Sequence, residues 1–368
     1  MKPWLNRCHF GDVRDVLRQM IADGVKVQTI VTSPPYWGLR DYGADGQIGL
    51  EPTIHDFIKT MTAVFDLARQ VLADDGTAWV NMGDSYAGTR GKEQGPVITG
   101  RKSKTSSFEG QVLQRAMTAS RRRDDHQIPR SDYAVDGLKP KDMVGQPWRL
   151  AFALQDAGWW LRSDIIWSKP NPMPESCKDR PTKAHEYLFL LAKSERYHFD
   201  FEAFQEPVTG GAHARKSLTP AGGWATGMAQ HDALSFNTPK ARGVGFGHGS
   251  DAAARARGRV KNNASMDAAL KSEEARATRN RRSVWEIPTQ AYKGSHFATY
   301  PEKLVEPCIL AGCPVGGTVL DIFFGSGTTG QVAQRLGRNF IGIDINVANE
   351  PLQAERLQHG PSLQLESA

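Results

Sequence analysis

A chain of 368 residues with 39% hydrophobic and 23% charged positions can bury a sizeable core and has the composition of a soluble globular protein with polar additions. No apolar run reaches the about 18 residues of a membrane-spanning helix, and the opening MKPWLNRCHF lacks a signal-peptide core, so a membrane span is excluded and cytoplasmic residence is expected. A formal charge of +6 and a pI near 9.1 point towards a polyanionic partner without excluding a basic enzyme that has no nucleic-acid role. The cysteines, Cys8, Cys177, Cys308 and Cys313, lie at irregular spacings that form neither a zinc pattern nor a disulfide framework.

In chain order, Asn6 to Phe10 predict a strand, and Val13, Val16, Leu17 and Met20 then recur at helical spacing. Val27 to Val31 predict a second strand, stopped by Thr32-Ser33-Pro34-Pro35-Tyr36-Trp37. Consecutive prolines cannot continue a sheet ladder, because each lacks an N–H and fixes its own φ. A helix is expected over about 54–72, with Phe57, Ile58, Met61, Val64, Phe65 and Leu67 on its apolar face. Asp74-Asp75-Gly76 predicts a turn and Thr77 to Met82 a short buried strand. Strands alternating with helices imply a parallel α/β sheet.

Periodicity is lost over about 87–141, a stretch rich in Gly, Ser, Lys and Arg. Order resumes with a helix from Pro147 to Ala157, a strand from Trp159 to Trp167 and an apolar strand from His185 to Ala192. A second interruption, about 207–282, holds 13 Lys and Arg against 5 Asp and Glu, so its charge of 13 − 5 = +8 exceeds that of the whole chain. Charge concentrated in this way fits nucleic acid better than diffuse charge does, although a solvated loop has the same composition. The expected organisation is therefore a main domain of residues 1–86, 142–206 and 284–368, a basic insertion over 87–141 and a second basic region over 207–283.

The last block reads βαβ: Thr318 to Phe323, a Gly-rich turn, a helix from Thr329 to Leu336 and a strand from Asn339 to Ile345. Gly325 and Gly327 allow a tight turn and close approach of a ligand to bare backbone. Asp344 ends the second strand about 20 residues on, where an acid can accept the ribose hydroxyls of an adenosine cofactor. Gly325-Ser326-Gly327-Thr328-Thr329-Gly330 satisfies G-x-G-x-x-G formally, so the residues permit NAD as readily as S-adenosylmethionine (SAM).

The order of motifs separates the two. TSPPYW, then VLDIFFGSGTTG and IGIDIN, resembles the permuted beta group of amino-methylating DNA methyltransferases. Gly158 to Ser163, Lys169 to Ser176 and His296 to Leu304 fit the same family. The resemblance implies a Rossmann-like fold with a mostly parallel seven-stranded sheet, entered midway and completed by the cofactor-binding strands. It implies SAM as cofactor, held by Asp321, Phe323, Gly325, Ser326, Gly327 and Thr328, with Asp344 on the ribose. Phe297, Ala298, Thr299 and Pro301 would line the methionine side, and Asp12 would reach the adenine. Two departures stand out: Ile322 where the family often has Pro, and Asp344 where it often has Glu.

In such an enzyme the catalytic set would be Ser33, Pro34, Pro35 and Tyr36. An exocyclic amine is a poor nucleophile because its lone pair is delocalised into the base. Acceptors aimed at its N–H groups favour sp³ geometry and stabilise the developing positive charge. Ser33 Oγ and the Pro34 carbonyl are suitable acceptors, the prolines hold that carbonyl in place, and Tyr36 offers a stacking face for an extruded base. Ser-Pro-Pro-Tyr resembles members that methylate N4 of cytosine; adenine N6 is the alternative, and an RNA or protein methyltransferase or an inactive homologue remain further readings. Pro307-Cys308 is similar to the nucleophile of cytosine-C5 enzymes, but its helical setting predicts a buried structural thiol.

Trp37, Trp79, Trp159, Trp160 and Trp167 are expected in the core, and His185 and His296 in structural or peripheral positions. Duplex DNA is the expected partner, with Arg40 and Lys169 as phosphate contacts and Arg255, Arg257 and Arg259 in a target-recognition region over 207–283. The 87–141 segment would then be a clamp across the duplex. A cognate restriction endonuclease and a homodimer are further expectations, and no metal is expected.

Overall fold

The computed structural model describes residues 3–38, 46–87, 138–175, 177–207, 278–289 and 300–358. The chain divides into two compact units, Met1–Phe204 with Arg282–Ala368, and Gln205–Arg281. In the first unit the elements run β1 (Arg7–Phe10), α1 (Val13–Ala22), β2 (Val27–Thr32), α2 (Ile54–Val71), β3 (Leu72–Met82), α3 (Gln146–Asp156), β4 (Trp160–Ser168) and β5 (His185–Ala192). The second unit contributes β6 (Glu206–Pro207) antiparallel to β7 (Thr278–Arg279), with Arg279 Nε 2.8 Å from Glu206 Oε1. The first unit resumes with β8 (Val284–Glu286), α4 (Glu302–Gly312), β9 (Thr318–Asp321), α5 (Thr328–Arg335), β10 (Asn339–Asp344) and α6 (Glu350–Gln358).

One sheet of eight strands organises the first unit, in the order β1-β10-β9-β2-β3-β5-β4-β8. Only the pairings of β5 with β3 and β4 are antiparallel. The expected Rossmann-like, mostly parallel sheet is therefore present, with an eighth strand added. Three residues of β8 pair with the end of β4, and Trp285 within β8 and the following Ile287 are buried, so β8 covers what would be an exposed edge.

Successive strand residues face opposite sides of the sheet and feed two cores. Ile30, Ala78, Leu320 and Ile341 pack on one face with Leu17, Met20, Phe57, Met61, Phe65 and Leu150 from α1, α2 and α3. Val31, Trp79, Val319 and Phe340 pack on the other with Leu304, Val305, Ile309, Val332 and Ala333 from α4 and α5. Phe57, Met61 and Phe65 are fully buried on α2, and each such side chain contributes about 1.5–3 kcal/mol.

Two local expectations change. Strand β3 begins at Leu72 rather than Thr77, because the Asp75 and Gly76 carbonyls accept from His198 and Lys193, which follow β5. Trp160 is 45% exposed, since the first half of β4 is covered poorly; the other four tryptophans named above are buried. Cys308 is buried within α4, its thiol donating to the Leu304 carbonyl.

Candidate active site

The pairing of β2 with β9 places Thr29 opposite Val319 and Ile30 opposite Leu320. Both strands point the same way, so the Ser-Pro-Pro-Tyr loop and the glycine turn leave the sheet side by side. This is the carboxyl edge of an open α/β sheet, where strand order reverses and ligands bind. A 2.7 Å hydrogen bond from Thr32 Oγ1 to Asp321 Oδ1 ties the two exits together.

Asp321 is a knot of four donors. Oδ1 accepts from Thr32 Oγ1 and the Phe323 amide, and Oδ2 accepts from Thr329 Oγ1 at 2.6 Å and Tyr300 Oη at 3.0 Å. Burial pushes its carboxyl above the usual range, and the donors pull it back. A carboxylate has about four acceptor positions, and all are taken. Asp321 therefore ties the two strand exits and the turn together.

The turn itself is open backbone. Gly325 and Gly327 have φ of +52° and +86°, and Gly327 caps α5 without a side-chain hydrogen bond. Such φ values strain any residue with a Cβ. Ser326 and Thr328 are buried, whereas Phe323 is half-buried beside the fully packed Phe324. Asp344 ends β10 and is buried, which raises its carboxyl above the usual range. Its Oδ1 accepts from the Asn346 amide, and its Oδ2 from Asn349 Nδ2 at 2.8 Å and Gln353 Nε2 at 3.3 Å. The Gly325 amide donates to the same carboxylate, so Asp344 ties the end of β10 to the glycine turn. Asp12 ends the neighbouring β1 exit, capping α1 through the Arg14 amide and pairing with the Arg14 guanidinium. Pro301 lies at the start of α4. Phe297, Ala298, Thr299 and His296 fall outside the described residues.

On the other side, Ser33 is half-buried, and its hydroxyl makes a long 3.4 Å hydrogen bond to Asn81 Oδ1. The same hydroxyl also hydrogen-bonds the Tyr36 phenol. Pro34 is buried and Pro35 half-buried. The loop is anchored behind by Trp37, which is 4% exposed; its amide donates to Gln146 Oε1 and its indole to the Glu51 carbonyl. Tyr36 Oη donates to Glu186 Oε2 at 2.8 Å, and burial followed by the Glu186 charge raises its phenol well above its ordinary range.

Lys169 is largely covered. Its ammonium pairs with Glu186 and lies 4.4 Å from the Trp167 ring centre. Its side chain is 18% exposed. Nearby, Asp84 accepts from the Ser85, Gly145 and Gln146 amides, and the Lys183 ammonium, buried without a hydrogen bond, is 3.9 Å away. The His185 ring hydrogen-bonds the Tyr187 hydroxyl at 3.4 Å. Arg40, Arg255, Arg257 and Arg259 lie outside the described residues.

Sequence reasoning missed Glu186, Asn81, Tyr300 and Gln353. Asn81 and Glu186 lie 48 and 150 residues from Ser33 and Tyr36 and are brought to them by the order of strands, whereas Gln353 and Tyr300 reach their partners from α6 and from just before α4. Tyr300 alone had a signal, being within the His296 to Leu304 segment.

The N6/N4 family described as DNA methylase matches residues 27–350. The chain is 40% identical to the Type II methyltransferase M.Cfr9I of Citrobacter freundii over 354 residues, covering 95% of this chain and 86% of that protein. It is also 40% identical to M.SmaI of Serratia marcescens, covering 94% and 89%. Among solved structures, PvuII DNA methyltransferase (cytosine-N4-specific) aligns with a TM-score of 0.51 at 16% identity, covering 98% of this chain and 87% of that one. A putative DNA modification methylase from Thermus thermophilus, complexed with SAM, gives 0.50 at 18% identity, covering 97% and 95%. These two likenesses show the fold.

Proposed function

The chain belongs to the N6/N4 DNA methylase family, and from that premise we propose that it transfers a methyl group from SAM to the exocyclic N4 amine of cytosine in duplex DNA. The observation that carries this reading is the meeting of the Ser-Pro-Pro-Tyr loop with the glycine turn, joined through Thr32 and Asp321. Its Type II character rests on relatives of that description at 40% identity over nearly the whole chain.

When bound, SAM supplies an electrophilic methyl group. The residues fit it: Gly325 and Gly327 carry no side chain at the turn, the first turn of α5 has no side-chain cap, and the Asp344 carboxylate stands at the end of the neighbouring strand. Asp12 and Asp344 would receive the adenosine end, and Pro301 with Phe297, Ala298 and Thr299 the methionine end. Ser33 Oγ and the Pro34 carbonyl would accept from the two amine N–H groups. That contact favours a pyramidal nitrogen and stabilises positive charge as the N–C bond forms. The proline pair limits reorganisation, and Tyr36 stacks against the extruded base.

Serine at the head of the motif supports cytosine: it offers a neutral acceptor, where adenine enzymes of the family usually carry aspartate. The 207–283 region is the proposed target reader, and 87–141 the proposed clamp. A cognate restriction endonuclease, a homodimer and residence in the cytoplasm with the DNA complete the proposal. Methyl-labelled SAM offered with duplex DNA, RNA or protein tests the substrate class. Label on duplex DNA is the expected result; label on RNA or protein alone would overturn it.

A further inference from the structure

Tyr36 follows two prolines at an open loop end, yet its hydroxyl is fastened. The acceptor, Glu186, stands near the start of β5 opposite Trp167 of β4. One of its oxygens takes the Tyr36 hydroxyl at 2.8 Å, and the other takes the Lys169 ammonium, which also covers the Trp167 ring. The ion pair is largely covered, with side chains 18% and 17% exposed. Gly83, just past the end of β3, makes the contact possible. A Cβ there would lie 2.9 Å from Tyr36 Cε2 and 3.2 Å from Glu186 Cγ.

A covered ion pair of this kind adds little stability over an apolar replacement, because desolvation offsets the attraction. Its value must lie in the geometry it specifies. A ring fixed before the base arrives loses less freedom on stacking, and the base is held closer to its reacting position.

We propose that Glu186 is a positioning residue that fixes the Tyr36 ring plane for the extruded base, with Lys169 as its counter-ion. The proposal rests on the reading of the chain as a DNA amino-methyltransferase. It has a consequence for specificity: a phenol committed to a carboxylate has no proton for a base edge. Tyr36 therefore contributes stacking alone and does not discriminate cytosine from adenine.

The test is a double-mutant cycle on the full chain, using Tyr36→Phe, Glu186→Ala and the two combined. Single-turnover methyl transfer from labelled SAM to unmethylated duplex DNA, the KM for SAM and the Tm are measured for each. Tyr36→Phe keeps the ring and removes the hydroxyl with its contacts to Glu186, Ser33 and the Gly83 amide, so the cycle with Glu186→Ala isolates the carboxylate's share. Each single change is expected to slow transfer roughly 10- to 100-fold, with the KM for SAM unchanged. Glu186→Ala should have no further effect in the Tyr36→Phe background. Losses that multiply, or full activity of Tyr36→Phe, would overturn the proposal. So would a Glu186→Ala loss that tracks a fall in Tm and persists without the hydroxyl. A wild-type chain that transfers no methyl group to DNA defeats the parent reading instead, and the proposal with it.

Discussion

At the scale of single residues, the site depends on carboxylates with different duties. Asp321 accepts four donors from β2, the turn, α5 and Tyr300, so it holds two strand exits in register. Asp321→Asn replaces one accepting oxygen with a donor and strands a buried hydroxyl, costing about 1–3 kcal/mol. The Tm should fall by about 2–4 °C for each kcal/mol in a domain of this size, and the KM for SAM should rise as the turn loosens. An unchanged melting curve would show that the knot is dispensable. Ser33, Tyr36, Gly325 and Asp344 were legible in the sequence because each lies in a compact motif with its own chemistry. Glu186 was not. A lone glutamate in an apolar strand has no local signature, and its meaning comes from pairing 150 residues away with Tyr36.

At the scale of elements, the strands and helices followed from periodicity, and errors arose where tertiary partners decided the outcome. Asp74-Asp75-Gly76 reads as a turn, yet the segment after β5 supplies donors that continue β3 through it. The short β8 had no readable pattern, since three residues are too few for a period. Helix α1 carries a pH-dependent contribution. Hydrogen bonding from Arg14 holds the Asp12 carboxyl below its ordinary value of 3.8. A carboxyl depressed on folding stabilises the fold above its unfolded value and loses that contribution as pH falls through the lower, folded one. Asp12→Asn keeps the cap but loses the pair. The variant should be less stable at neutral pH by under about 1 kcal/mol, given the exposure of the pair. The deficit should vanish as pH falls below 3.8, measured by denaturant unfolding across the acid range. A deficit that is constant with pH would contradict the assignment.

At the scale of the whole molecule, the chain order is permuted relative to the cofactor site. The acceptor loop leaves β2 early, the glycine turn leaves β9 near the end, and adjacent parallel strands reunite them. That closure was legible only from the joint order of the motifs, because either motif alone fits several enzyme classes. The surplus of positive charge between 207 and 282 belongs to the same scale. Neutralising Arg255, Arg257 and Arg259 together should weaken duplex binding. If all three neutralise phosphates, the slope of log K against log salt should flatten by about 0.9 for each. An unchanged slope would remove this stretch from the interface.

A serine-headed acceptor loop predicts methylation of a cytosine amine. Duplex DNA incubated with the protein and methyl-labelled SAM, digested to nucleosides and separated by mass, tests it most directly. Label in N4-methyldeoxycytidine is the predicted result, and label confined to N6-methyldeoxyadenosine would contradict it.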